Sequence, residues 1–174
     1  MECQDVKTAA LRGKPNRFQR GVQRLAARPF NNRWLASLLH RLDRPLIRLS
    51  SGLTSLTRLF TGLPVVLLTT TGRRSGQPRQ IPLVGIPLDG KVILVASNFG
   101  REVHPGWYFN LRANPHAQVS LAGRMYPCRA RLTFGAEREA LFEIAAAYYP
   151  GYLEYQKRAA PREIGVFVLE LEGG

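Results

Sequence analysis

Cysteine is nearly missing from this sequence: Cys3 and Cys128 are the only two in 174 residues. Two thiols cannot build a disulfide framework or a cysteine-rich zinc site, which suits a reducing compartment. Long apolar runs are missing too. The longest, Leu63-Pro64-Val65-Val66-Leu67-Leu68, falls well short of the roughly 18 uncharged residues of a membrane span. The segment Met1–Asp5 has no basic stretch leading into an apolar one, so no signal peptide is expected. His40, His104 and His116 lack carboxylate or cysteine companions at metal-ligand spacing, and no metal is expected. Neither Ser75 nor Ser97 lies in a Gly-x-Ser-x-Gly elbow, so a hydrolase triad has no support. No Gly-x-Gly-x-x-Gly follows a strand, which argues against a Rossmann nicotinamide site. The expectation is a soluble, cytoplasmic protein whose chemistry, if it is an enzyme, belongs to a bound cofactor.

Acidic residues are also scarce, and unevenly so. Twelve Asp+Glu against 25 Lys+Arg give a net charge of +13. Residues 1–64 carry 12 basic and 3 acidic side chains (+9), whereas residues 65–174 carry 13 and 9 (+4). Residues 1–61 therefore read as a basic N-terminal arm ahead of a domain spanning 62–174. Trp34, Leu35, Leu38, Leu39 and Leu42 fall at helical spacing, and a second amphipathic helix follows Pro45. Such helices cap a domain or lie on an anionic membrane surface, giving peripheral association. The arm has no recognised nucleic-acid motif, so nucleic acid is not the expected partner. Oligomeric state is left open.

After Pro64 the period changes from helical to strand-like. Val65–Thr70 is a β-branched apolar run, Ile81–Leu88 a second strand that Pro82 and Pro87 restrict to an edge or irregular position. Asp89-Gly90 signals a hairpin returning through Lys91–Ser97. A short helix is expected near Gly106–Arg112, then a hairpin of Ala117–Leu121 and Arg124–Leu132, a helix over Glu137–Tyr148, and a last strand over Gly165–Leu171. Short hairpin connections predict an α+β, mainly β domain of about six mostly antiparallel strands.

Two segments could carry chemistry. Thr69-Thr70-Thr71-Gly72-Arg73-Arg74-Ser75-Gly76-Gln77-Pro78-Arg79 combines turn glycines with three arginines and several hydroxyls, which suits a phosphate- or carboxylate-bearing tail. A solvated basic hairpin is the plainer alternative. Val95-Ala96-Ser97-Asn98 ends a strand ahead of Gly106-Trp107-Tyr108-Phe109-Asn110-Leu111, a place where a flat ring could lie. Those aromatics also fit a core, Phe109 and Leu111 above all.

Together with Pro105–Pro115, these blocks resemble the deazaflavin (coenzyme F420)-dependent nitroreductase family over residues 62–171. The resemblance implies a split β-barrel related to the FMN-binding, pyridoxine-phosphate-oxidase-like barrels, and a coenzyme F420 site. It implies that Arg73, Arg74, Ser75 and Arg79 contact the phosphate and tail. Gln80, Ile81, Pro82, Leu83 and Val84 would line the groove. Val95, Ala96, Ser97 and Asn98 would border the ring, with Gly106, Trp107, Tyr108, Phe109 and Asn110 completing the pocket. Asn98 departs from members that have lysine there. A further match, Tyr149-Pro150-Gly151-Tyr152-Leu153-Glu154-Tyr155, implies that Tyr149, Tyr152 and Tyr155 roof the substrate pocket, while Tyr148 is the better core candidate. The implied reaction is hydride transfer from reduced F420 to a quinone, nitroaromatic or enone, with the proton coming from Tyr152, Ser97 or water. The alternatives are an FMN enzyme on the same barrel and a non-catalytic binding module acting through the arm.

Overall fold

A computed structural model of the protein describes residues 63–121 and 123–172. The basic arm and the helices expected over residues 31–60 lie outside the described residues. Six strands, all paired antiparallel, close into a barrel in the order β1-β2-β3-β6-β5-β4, with β4 returning to β1. They are β1 (Val65–Thr71), β2 (Pro78–Leu88), β3 (Lys91–Val95), β4 (His116–Leu121), β5 (Arg124–Leu132) and β6 (Val166–Leu171). Helix α1 (Gly106–Ala113) lies between β3 and β4, whereas α2 (Gly135–Tyr148) and α3 (Gly151–Ala159) lie between β5 and β6. The expected hairpin at Asp89-Gly90 forms with φ of 45° and 74°, the left-handed pair that a two-residue turn between twisted strands requires.

The period-2 pattern of the strands creates two cores. Val66, Leu68, Val92, Leu94, Phe167 and Leu169 point into the barrel, whose interior is completed by Trp107, Tyr108 and Leu111 of α1. The opposite faces of β3 and β6 carry Ile93, Val95, Val166 and Val168, which pack against Phe142, Ala145, Tyr149, Tyr152 and Tyr155. These two strands are covered on both faces, so they read as unbroken apolar runs rather than alternating ones. Cys128 is fully buried in the barrel, where burial first and Glu172 second push its thiol up to about 12. Among the described residues, no helix is long and apolar enough to cross a membrane.

The prolines of β2 restrict it only locally. The strand sits between two neighbours, but it pairs with β1 over Pro78–Val84 and with β3 over Gly85–Leu88. Pro82 and Pro87 each fall in a half with one partner, where a missing N–H costs no ladder bond on the open side.

The tyrosine segment reverses one expectation. Tyr149, Tyr152 and Tyr155 are all buried, and it is Tyr148, at the end of α2, that is only partly covered. The chain leaves the helix at Tyr149, whose ring lies against the Gly151 backbone while its hydroxyl bonds that of Tyr155 at 3.1 Å. A Cβ at position 151 would overlap that ring.

Two stability measurements follow from this packing. Phe167→Ala removes a ring that touches both Trp107 and Tyr108 and is expected to lose about 3–5 kcal/mol in urea unfolding, with an unchanged m-value. Gly151→Ala is expected to cost about 1–3 kcal/mol, because it must displace the buried Tyr149 ring whose hydroxyl is bonded to Tyr155, and to lower Tm accordingly.

Candidate functional site

The site is built where β2 leaves β3. Their pairing stops at Gly85 opposite Leu94. Continued, that register would set Val84 against Val95 and Pro82 against Ser97, but the strands part, and among the described residues the far edge of Pro78–Val84 pairs with no strand. That parting leaves residues 80–84 on one side and Val95–Asn98 on the other, so a groove there would be bordered by both. Ile81 and Leu83 lean on the barrel core and Val84 on the outer core, leaving Gln80 exposed. Five residues of extended chain separate Val84 from Arg79, a run of about 16 Å. The two segments singled out in the sequence thus stand toward opposite ends of the stretch of β2 that does not pair with β3.

At its far end stands the basic turn. The Gly72 N–H donates to Gln77 O at 2.8 Å, and the Gly76 N–H to Gly72 O at 2.7 Å, with Gly76 at φ +65°. Ser75 Oγ accepts from the Gln77 N–H at 3.3 Å and from Arg79 Nη2 at 3.4 Å. Helix α1 anchors this turn through residues one helical turn apart. Asn110 Oδ1 accepts from the Arg73 N–H at 3.1 Å while its Nδ2 donates to Thr70 Oγ1 at 3.0 Å, and Asn114 Nδ2 donates to Thr71 Oγ1 at 3.4 Å. The Arg73 guanidinium covers the Phe109 ring at 4.7 Å. Arg73, Arg74 and Arg79 are exposed, and none has a carboxylate partner among the described residues. Three guanidinium groups on one fixed turn, without a carboxylate partner among the described residues, could together take a multiply charged anion.

The aromatic block divides differently from its expected roles. Trp107 and Tyr108 turn into the barrel, 5% and 7% exposed, whereas Phe109 and Asn110 lie half-buried beside the turn. Gly106 opens the helix with free space where a Cβ would be. Position along α1 decides this: Tyr108 and Leu111, three apart, share the face that plugs the barrel.

At the other wall, Val95 and Ala96 are buried, Ser97 and Asn98 half-buried. Asn98 is no stand-in for a cation: its Nδ2 donates to Val103 O at 2.8 Å and folds the loop on itself. Tyr149, Tyr152 and Tyr155 face the apolar layer between α2, α3 and the barrel rather than an open surface. Burial raises the pKa of Tyr149 and Tyr152 well above the ordinary tyrosine value, so both hydroxyls keep their protons at neutral pH.

Two residues of the site carried no signal in the sequence. Arg162, after α3, directs its guanidinium at the loop that follows β3, and His104 meets it there. His104 stacks on Tyr108 at 3.8 Å with the rings 5° apart. Burial, followed by Arg162 and Arg112, holds its imidazole below the ordinary 6.5. Among the described residues no group of three or more His, Cys, Asp or Glu could hold a metal.

Comparison with known proteins bears on this arrangement. The profile of the F420H(2)-dependent quinone reductase family matches residues 40–171, and so takes in residues 40–61 ahead of the barrel. An F420H(2)-dependent quinone reductase of Mycobacterium tuberculosis H37Rv is 35% identical over 68 residues, which are 39% of this chain and 46% of that protein. The chain thus spans about half the length of that curated relative. Among solved structures, one described as an F420-H2 dependent reductase shares 44% identity at a TM-score of 0.57, covering 62% of this chain and 94% of the other. Another, described as a domain-swapped dimer, shares 38% identity at a TM-score of 0.60, covering 79% and 97%. With most of its length matched by that profile, and with a barrel shared with those structures, the chain belongs to the F420H(2)-dependent quinone reductase family.

Proposed function

We propose that the protein is an oxidoreductase that uses reduced coenzyme F420 to pass a hydride to a small conjugated acceptor, a quinone first and nitroaromatics or enones on the same principle. One observation carries this reading: a turn with three arginines that have no carboxylate partner among the described residues stands at one end of the β2 stretch not paired with β3, and small, polar residues backed by apolar core follow β3 at the other. A cofactor with a flat ring and a phosphate- and carboxylate-bearing tail has that same polarity along its length. When bound, reduced F420 supplies the hydride.

The chain's own residues supply position and exclusion of water. Arg73, Arg74 and Arg79 would hold the anionic tail, and Asn110 keeps their turn fixed from α1. Val84, half-buried, would give an apolar edge beside the buried Pro82. Ser97 and Asn98 follow β3 at the ring side of the cleft, and Ser97 Oγ would be a hydroxyl there to hand a proton to the acceptor. Tyr152, with its pKa raised, would remain a proton holder rather than a base. The tyrosine layer keeps water from the apolar side.

Titration of the purified chain with oxidised F420 and, separately, with FMN tests the reading. F420 binding with turnover of a quinone is expected; a yellow protein that binds FMN and ignores F420 would sink it. Arg79→Ala is expected to weaken F420 binding by roughly 10–100-fold, the worth of one charge-assisted hydrogen bond, while turnover at saturation changes little. Raising the salt concentration should weaken wild-type binding more steeply than binding by Arg79→Ala.

A further inference from the structure

The loop that follows β3 has an unusual shape and needs support from outside. Asn98, Phe99 and Gly100 lie in succession at φ of 48°, 57° and 76°, and two of the three are not glycine. L-residues pay for that conformation, so the surroundings must over-determine it. A single side chain does much of this. Arg162 donates from Nη1 to Ala96 O at 3.3 Å, from Nη2 to Ser97 O at 2.9 Å, and from Nε and Nη2 to Arg101 O at 3.0 and 2.7 Å. Its Nη1 also meets His104 Nδ1 at 3.2 Å.

Arg162 is itself fixed. Gln156 Nε2 donates to Arg162 O at 2.9 Å, and Gln156 Oε1 accepts from the Ile164 N–H at 2.9 Å and from Arg138 Nη2 at 2.8 Å. Arg138, 7% exposed, donates twice more to Ile164 O. A buried network thus presents one guanidinium to three carbonyls of the loop that bears Ser97 and Asn98.

We propose that Arg162 is a positioning residue for the ring end of the cleft, acting through the backbone carbonyls of residues 96, 97 and 101. The inference rests on the functional reading above, and assigns the shape of its ring site to a residue outside all three sequence blocks. With its carbonyls drawn toward Arg162, the loop holds Ser97 and Asn98 at the cleft wall, and their geometry is set before any ligand arrives. His104 adds a pH dependence. The groups facing it are Arg162, Arg112 and the stacked ring of Tyr108, with Phe109 edge-on. Neutral His104 accepts from Arg162; protonated, it sets a third cation against two. Because its folded value lies below 6.5, the contact is intact above that pH and is lost as pH falls through the lowered value.

Hydrogen exchange of amides 97–104 in the full chain reads the clamp without cofactor. Arg162→Gln is expected to speed that exchange by about tenfold or more, with β5 unchanged, and to raise the Kd for oxidised F420 by about tenfold. Arg162→Lys, which keeps the charge but not the fork, should recover part of both effects. Wild-type exchange at 97–104, or a loss of F420 that merely tracks a general rise in exchange and a fall in Tm, overturns the proposal. If Arg162→Gln does not fold, His104→Gln carries the test. The wild-type loop should loosen below pH 6.5, beyond the intrinsic pH effect on exchange, and His104→Gln should abolish that loosening; its persistence in the variant overturns the coupling. A wild type that never binds F420 defeats the functional reading, while the exchange data still decide whether the clamp exists.

Discussion

Everything at the site depends on β2 changing partner at Gly85. Over its first half the strand is bound to β1 and over its second to β3, so the barrel closes while one length of strand edge has no strand partner among the described residues. An open edge normally invites another chain. Here Pro82 withholds a donor in its middle and the arginine turn puts like charge at its end, which opposes strand addition and leaves room for a small ligand. In the proposed reading, the partner change would do two things: open the cleft, and set the segments 80–84 and 95–98 on either side of it.

The arginines show how one side chain serves different ends according to burial. Arg73, Arg74 and Arg79 are exposed on a turn fixed by backbone and asparagine bonds, with charge to spare for an anion. Arg131 pairs with Glu137 through two bonds of 2.7–2.8 Å in an exposed setting, worth little to stability. Arg138 and Arg162 face inward and satisfy carbonyls that the sheet cannot reach. Each of these two substitutes a planar fork of donors for missing backbone partners, a task a lysine performs poorly.

Much of the local structure could be read directly from residue order. The Val65 run, the Asp89-Gly90 turn, the helix stopped by Asn114-Pro115 and the Arg124–Leu132 strand depend on near neighbours, and the structure reproduces them within a residue or two at most ends. The basic turn was legible for the same reason, since its glycines and the Ser75 hydroxyl bond within six residues. Less legible were choices between adjacent residues of like kind. Tyr148 and Tyr149 differ little in sequence, yet the helix ends between them and turns only the second inward. Trp107 and Phe109 compete in the same way, and the face of α1 that plugs the barrel decides between them.

The sequence by itself determined most strands, their turns and the cationic character of the turn at Arg73–Arg79, because periodicity, turn residues and charge act over a few positions; the barrel came from the family resemblance. Tertiary structure alone decided that β2 divides its pairing, that the tyrosines form an inner layer, and that Arg162 reaches carbonyls some 60 residues away. The physical reason is that backbone carbonyls exist at every position and carry no residue label. Which of them lacks a partner, and which donor is near enough to supply it, is settled only when the chain is folded.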